Sequence, residues 1–70
     1  MNYREVARKL SALGCYEVKR KGKGSHRKWR NPSTSRSTVV PDWGGRDLKK
    51  GTVRGAVRQL GIDWTTFDNA

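Results

Sequence analysis

The only histidine of the chain, His26, lies within its most basic segment, residues 19–30. Seven of those twelve residues are Lys or Arg, and none is acidic. Histidine normally changes its charge near neutral pH, so it can accept and donate protons there, and cations bind the phosphates of nucleic acids. A proton-transfer group among phosphate-binding groups is what cleavage of RNA requires. A solvated basic surface with an incidental histidine is the alternative interpretation of this segment.

The composition describes a small and strongly basic chain. Its 70 residues include 16 Lys or Arg and 6 Asp or Glu, which gives a formal net charge of +10. A chain of this length buries only about 60% of the surface that its unfolded form exposes, so its core is thin. We expect one domain over residues 1–70, which an anionic partner, either nucleic acid or an acidic protein, would stabilise.

Several classes of protein are disfavoured by the same composition. Cys15 is the only cysteine, which excludes an intramolecular disulfide, and with a single histidine we expect no metal site and no cofactor. We expect Cys15 to be a small buried residue rather than a nucleophile, because no base lies beside it in the sequence. No apolar run suits a signal peptide or a membrane span, which favours a cytoplasmic protein.

Apolar residues at helical spacing predict a first helix over about residues 3–13. Asn2 can cap its first turn together with Glu5, and Gly14 is placed to end it. The apolar stripe consists of Val6, Ala7, Leu10 and Leu13.

Three short strands are predicted next. Tyr16 and Val18 alternate with Glu17 and Lys19, as in a strand with one buried face. The turn at 21–24 contains two glycines, and a second strand then runs over 25–30. After a polar loop at 31–36, a third strand over 38–40 is stopped by Pro41, which has no amide proton to donate.

The second strand decides where His26 points. Alternation places His26, Lys28 and Arg30 on one face, and Arg27 and Trp29 on the other. Because Trp29 is the expected core residue, the histidine and two cations should point into solvent together.

A second helix is predicted to begin near Thr52 as its N-cap and to end at Gly61. Gly55 lies inside this helix, where glycine costs about 1 kcal/mol relative to alanine, so we expect a close packing partner there. Asp63 is expected to cap a final turn that returns Trp64 and Phe67 to the core. The apolar stripe of this helix consists of Val53, Ala56, Val57 and Leu60.

The predicted fold is therefore α+β, with the order α-β-β-β-α. A three-stranded antiparallel sheet would have both helices on one face and water on the other. This is the layout of double-stranded-RNA-binding domains.

With these residues placed, the chain resembles the HicA toxins, small bacterial mRNA interferases of type II toxin–antitoxin pairs. The resemblance extends along nearly the whole length. The matching segments are Leu13-Gly14 followed by Tyr16, Lys23-Gly24-Ser25-His26 followed by Lys28-Trp29, Val40-Pro41, Leu48, Gly51-Thr52-Val53-Arg54 and Gln59-Leu60-Gly61-Ile62.

The resemblance implies an endoribonuclease that acts in stress responses, with His26 as its catalytic residue. It also implies mRNA as the substrate and a HicB-type antitoxin as the partner that inhibits the enzyme. We choose Lys28 to stabilise the transition state, because it shares the face of His26 two residues away. The predicted RNA-binding residues are Lys21, Lys23, Gly24, Ser25, Arg27, Lys28 and Arg30.

Two departures from the family pattern bear on activity. The stretch from Gly14 to Gly24 is about two residues longer than usual, and Trp43 occupies a position that is often histidine. Trp43 lies in a glycine-rich loop, where it could stack a base or anchor a partner; we predict the partner role. The alternative functions are a non-catalytic RNA-binding module of the same fold and a toxin that has lost its activity.

Overall fold

A computed structural model describes residues 1–19 and 24–70 of the chain. The predicted turn residues at 21–23, including Lys21 and Lys23, lie outside the described residues. The elements are α1 (Tyr3–Ala12), β1 (Tyr16–Glu17), β2 (His26–Asn31), β3 (Arg36–Pro41), α2 (Lys50–Gln59) and α3 (Trp64–Asp68). The predicted order of helix, three strands and helix is confirmed, and the predicted final turn forms the short α3.

Helix α1 begins and ends at the predicted signals. The Asn2 side chain accepts a hydrogen bond from the Glu5 amide at 3.0 Å, and the Glu5 side chain accepts one from the Asn2 amide at 3.3 Å. This reciprocal capping box satisfies two amides that lack partners within the helix. Gly14 then has a φ of 89°, a left-handed conformation that favours glycine.

The three strands form one antiparallel sheet in the order β1-β2-β3. In its register, Tyr16 lies opposite Arg30, while His26 lies opposite Pro41 at the other end of β2. One additional backbone hydrogen bond extends the pairing of β1 with β2, and another extends the pairing of β2 with β3. The Val18 amide donates to the Lys28 carbonyl at 2.8 Å, and the Asp42 amide donates to the Ser25 carbonyl.

One side of the sheet packs against the helices. Trp29 in β2 and Val40 in β3 are buried there, together with Val6 and Leu10 of α1 and Val57 of α2. The opposite side, which we call the exposed sheet face, consists of Tyr16, His26, Lys28, Arg30, Ser37, Val39 and Pro41. The predicted division of β2 between a core side and a solvent side is therefore confirmed.

Side-chain hydrogen bonds fasten the β2–β3 turn to the end of α2. Asn31, which is only 4% exposed, donates from Nδ2 to the Leu60 carbonyl at 2.8 Å. The Thr34 hydroxyl donates to the same carbonyl at 2.8 Å, and Thr38 donates to the Gln59 side chain at 2.6 Å. These bonds satisfy polar groups that would be costly to bury without partners.

Asp63 caps α3 as predicted, and its side chain accepts hydrogen bonds from the amides of Thr65 and Thr66. Phe67 is fully buried, while Trp64 remains half-buried with its ring centroid 5.3 Å from that of Phe67. No helix in residues 1–19 and 24–70 is long and apolar enough to cross a membrane.

Three local predictions are wrong. The alternation of β1 has the opposite sense, because Tyr16 is exposed and Glu17 is turned towards the helices. Helix α2 has Lys49 rather than Thr52 as its N-cap, and Lys49 makes no side-chain capping bond. Apart from its chain neighbours and the backbone of its own helix, a β-carbon added at Gly55 would have no atom within 4 Å, so no close packing explains that glycine.

Candidate active site

His26 is the first residue of β2, and its side chain is exposed. Its backbone is held in place, because β2 pairs with β3 from His26↔Pro41 onwards and the Asp42 amide bonds to the Ser25 carbonyl just before it. The imidazole therefore projects from a fixed strand rather than from an unsupported loop. An exposed group of this kind is accessible to a polymer that lies across the sheet.

Lys28 and Arg30 share the exposed sheet face with His26. Residues two apart on a strand are separated by about 7 Å, so Lys28 lies about 7 Å and Arg30 about 13 Å from His26 along β2. The flexible Lys28 side chain can reach a phosphate held beside the imidazole. Arg30 lies two residues further along β2 and can bind a neighbouring phosphate of the same strand.

The exposed sheet face carries no carboxylate within its described strands. The ion pairs in the described part join Arg27 to Glu17, Arg27 to Asp42 and the N-terminus to Asp47, so neither Lys28 nor Arg30 is neutralised by one. The face therefore presents positive charge that a polyanion can satisfy.

Arg27, adjacent to His26, has a different environment on the helix side of β2. Its Nη1 donates to Glu17 at 3.2 Å and its Nη2 donates to Asp42 at 3.1 Å. The hydrogen bond to Glu17 raises the pKa of Arg27. The guanidinium also lies 5.8 Å from the centre of the Tyr3 ring. Both of its charged bonds are thus made within the domain, and we leave Arg27 out of the proposed RNA surface.

Tyr3 completes this network behind the sheet. Its hydroxyl donates to Glu17 at 2.9 Å and accepts a hydrogen bond from the indole of Trp29 at 3.1 Å. Burial is the largest cause that raises the pKa of Tyr3 to about 12; the hydrogen bond from Trp29 lowers this pKa, and the bond to Glu17 raises it. The network joins α1, β1 and β2 directly beneath the strand that carries His26.

The remaining predicted residues of the Gly-Ser-His segment are exposed. Gly24 and Ser25 precede His26, and the Ser25 carbonyl takes part in the sheet pairing through Asp42. The segment is therefore accessible at the strand end, as a contact with the RNA backbone requires.

Trp43 lies two residues beyond Pro41, the cross-strand neighbour of His26. It is half-buried at the rim of the core, with the Arg46 guanidinium 5.6 Å from its ring centre. The loop that carries it is held by the Gly44 amide, which donates to Asp42 at 3.0 Å. Trp43 is consequently positioned at the same end of the sheet as His26.

Cys15 is buried as expected, and its burial raises the pKa of the thiol. Both properties disfavour the reactive thiolate. The exposed basic residues of α2 belong to the helical layer rather than to the exposed sheet face, and the Arg54 guanidinium stacks 4.8 Å from the Trp64 ring centre. The structure thus separates these α2 cations from the face of His26.

Tyr16 is a residue of this face that the sequence pattern assigned to the core instead. It is 49% exposed and lies directly opposite Arg30. Its alternation with Glu17 and Lys19 pointed to the core, and only the pairing of β1 with β2 shows where its ring lies.

The fold and the site together define a small basic α+β domain that presents one histidine and two cations on an open sheet. The family model for HicA toxins of bacterial toxin–antitoxin systems matches residues 3–62. The chain belongs to this family. No match to the chain was found among curated proteins or among solved structures.

Proposed function

We propose that the chain is an endoribonuclease, an mRNA interferase that cleaves RNA at the exposed sheet face with His26 as general acid and base. The observation that carries the proposal is the exposure of His26 on the same face as Lys28 and Arg30, with no carboxylate beside them in the described strands. Membership of the HicA family supports the same activity.

The reaction that fits these groups is attack by a ribose 2′-hydroxyl on the adjacent phosphorus. His26 takes the hydroxyl proton while the bond from O2′ to phosphorus forms, and the bond from phosphorus to O5′ breaks. The imidazolium then returns a proton to the leaving 5′ oxygen. Lys28 is placed to stabilise the negative charge that develops on the phosphorane oxygens.

The test compares the wild-type protein with His26→Ala on a long RNA in the presence of EDTA. We expect cleavage by the wild type and none by the variant, since the steps above use only side chains of the chain. RNA binding by the variant should be largely retained, because Lys28 and Arg30 remain. Equal loss of binding and cleavage would make His26 a binding or folding residue. Full cleavage by the variant would overturn the role of His26, and absence of cleavage by the folded wild type would favour the non-catalytic binding module.

We further propose that a HicB-type antitoxin holds this toxin inactive by covering His26, and that both act in the cytoplasm, where mRNA is found. The family supports a partner of this type, and the net charge of +10 suits an inhibitor with acidic residues. Exposed ion pairs contribute little each, so apolar anchoring is also needed. Trp43 is our choice for that anchor, since it lies in the loop next to the strand end of His26.

A further inference from the structure

Tyr16 is an exposed aromatic residue on the edge strand β1 of a positively charged sheet face. It lies in β1, is 49% exposed and shares a cross-strand row with Arg30 and Ser37. In the part of the chain that the structure describes, its hydroxyl makes no hydrogen bond and its ring packs against no other aromatic ring. The Tyr16 ring therefore lies on the same surface as His26, and both the ring and its hydroxyl are available to a ligand.

The row formed by Tyr16 and Arg30 has the chemistry of a nucleotide-binding site. Side chains directly opposite each other on antiparallel strands have β-carbons about 5 Å apart. An aromatic ring can stack on the face of any base, and an adjacent arginine can bind the phosphate of the same nucleotide. Arg30 is available for this purpose because no ion pair occupies it in the described structure.

Only an unpaired strand can use such a site. The base faces of a duplex are stacked within it, whereas the bases of a single strand can be splayed out onto an aromatic side chain. The exposed sheet face is open and lacks a carboxylate in its described strands, so it complements a flexible polyanion along its length.

We propose that Tyr16 stacks a base of single-stranded RNA while Arg30 binds the adjoining phosphate, forming a subsite about 13 Å from His26 along β2. The inference rests on the proposed ribonuclease function and deepens it. The substrate is a single strand that runs over the sheet, and Tyr16 is a binding residue remote from the cleaved bond.

Val39 provides a matched control on the same surface. It is also 49% exposed, and it lies opposite Lys28, but it has no ring. A partner that needed only apolar area would use both residues, whereas a stacked base needs Tyr16 alone.

The test measures binding of a fluorescently labelled single-stranded RNA, and of a duplex of the same length, to His26→Ala protein. Adding Tyr16→Ala should weaken single-strand binding by roughly 5- to 150-fold, the range that corresponds to loss of one stacking contact. Duplex binding should change far less. Tyr16→Trp should preserve binding to the single strand, and Val39→Ala should leave it nearly unchanged. Thermal unfolding establishes that each variant is folded, and Tyr16→Leu replaces Tyr16→Ala if the latter does not fold.

Each contrary result has a separate meaning. Unchanged single-strand affinity in folded Tyr16→Ala would overturn the subsite while leaving the proposed function intact. Equal losses in Tyr16→Ala and Val39→Ala would also overturn stacking, as would a loss confined to binding of a HicB-type antitoxin. If the His26→Ala protein itself binds no RNA, His26 is a binding or folding residue, and its proposed general acid–base role fails together with this inference.

Discussion

Arg27 donates a hydrogen bond from Nη2 to Oδ2 of Asp42 over 3.1 Å, on the side of β2 opposite to His26. Asp42 follows β3, and its amide bonds to the carbonyl of Ser25. The contact therefore helps to hold together the ends of β2 and β3 beside His26. A second bond from Arg27 to Glu17 ties the same side chain to β1. The most basic segment of the sequence thus contains two kinds of cation on opposite faces of β2. Arg27 stabilises the fold, whereas Lys28 and Arg30 are available to bind a polyanion.

Arg27→Met and Lys28→Met should separate these tasks. Arg27→Met leaves Glu17 and Asp42 without their charged partner, so it should lower the free energy of unfolding clearly. Lys28→Met removes an exposed cation and should leave stability nearly unchanged. In the His26→Ala background, Lys28→Met should weaken RNA binding and reduce its salt slope by about one. Denaturant titration and binding at several salt concentrations give the comparison, and equal effects of both variants on stability would contradict it.

Gly61 and Gly55 offer a second matched pair. Gly61 has a φ of 73°, and an added β-carbon would lie 2.9 Å from Cγ2 of Thr34. Gly61→Ala should therefore destabilise the protein by about 1–3 kcal/mol, from backbone strain and from the displaced contact. Gly55 lies inside α2, and the β-carbon of an alanine there would meet no atom within 4 Å beyond its chain neighbours and the backbone of its own helix. Gly55→Ala should stabilise the protein by about 0.5–1 kcal/mol.

Thermal unfolding is sufficient to measure both glycine variants, because about 1 kcal/mol shifts the Tm of a domain of this size by roughly 4–8 °C. Opposite signs are expected. A destabilising Gly55→Ala would show that something does pack against this part of α2.

Local signals predicted the elements whose stabilising contacts are close in sequence. The capping box of Asn2 and Glu5 spans three residues, and the alternation around Trp29 fills a six-residue strand. The face of β1 could not be predicted in this way, because the strand has only two residues. Its orientation is set by the hydrogen bonds of Glu17 to Arg27 and Tyr3, which are distant in sequence.

The start of α2 escaped prediction for a related reason. Lys49 offers no capping side chain, and the adjacent Leu48 is buried, with its amide donating to the Met1 carbonyl at 2.8 Å. Packing of Leu48 against the beginning of the chain fixes where the helix begins, so Thr52 falls within its first turn. The same limit applies to the site. Alternation along β2 predicted that His26, Lys28 and Arg30 share one face, whereas only the pairing of β1 with β2 shows that Tyr16 lies on it too.

Tyr3 predicts a pH dependence of stability at alkaline pH. Its pKa in the folded protein is raised to about 12, above the ordinary value of 10.0, chiefly by burial. Between these values the folded state retains a proton that the unfolded state loses, so stability should fall as the pH rises from 10 towards 12. The contribution is fully present below pH 10. Urea titrations across this window should show a smaller decline for Tyr3→Phe than for the wild type, and parallel declines would assign the effect to other groups.

Trp43 should prove to be an anchor for the antitoxin, and Trp64 provides its control. Both tryptophans are half-buried, and each has an arginine over its ring, at 5.6 Å in Trp43 and 4.8 Å in Trp64. Trp43 alone lies next to the strand end of His26, whereas Trp64 belongs to the helical layer. Trp43→Ala should therefore weaken the complex with a HicB-type antitoxin by about 30-fold or more, the loss typical of a central aromatic contact.

Trp64→Ala should leave the affinity of that complex largely intact, although it removes a ring of the same kind. The complex is obtained by pull-down from the native host at moderate salt, which should recover a small protein encoded next to this one. Titration calorimetry with each variant, after thermal unfolding has shown it to be folded, gives the affinities. Equal losses from both tryptophans would assign the effect to general destabilisation. A neighbouring gene product that neither binds the chain nor protects cells from it would contradict the pairing itself.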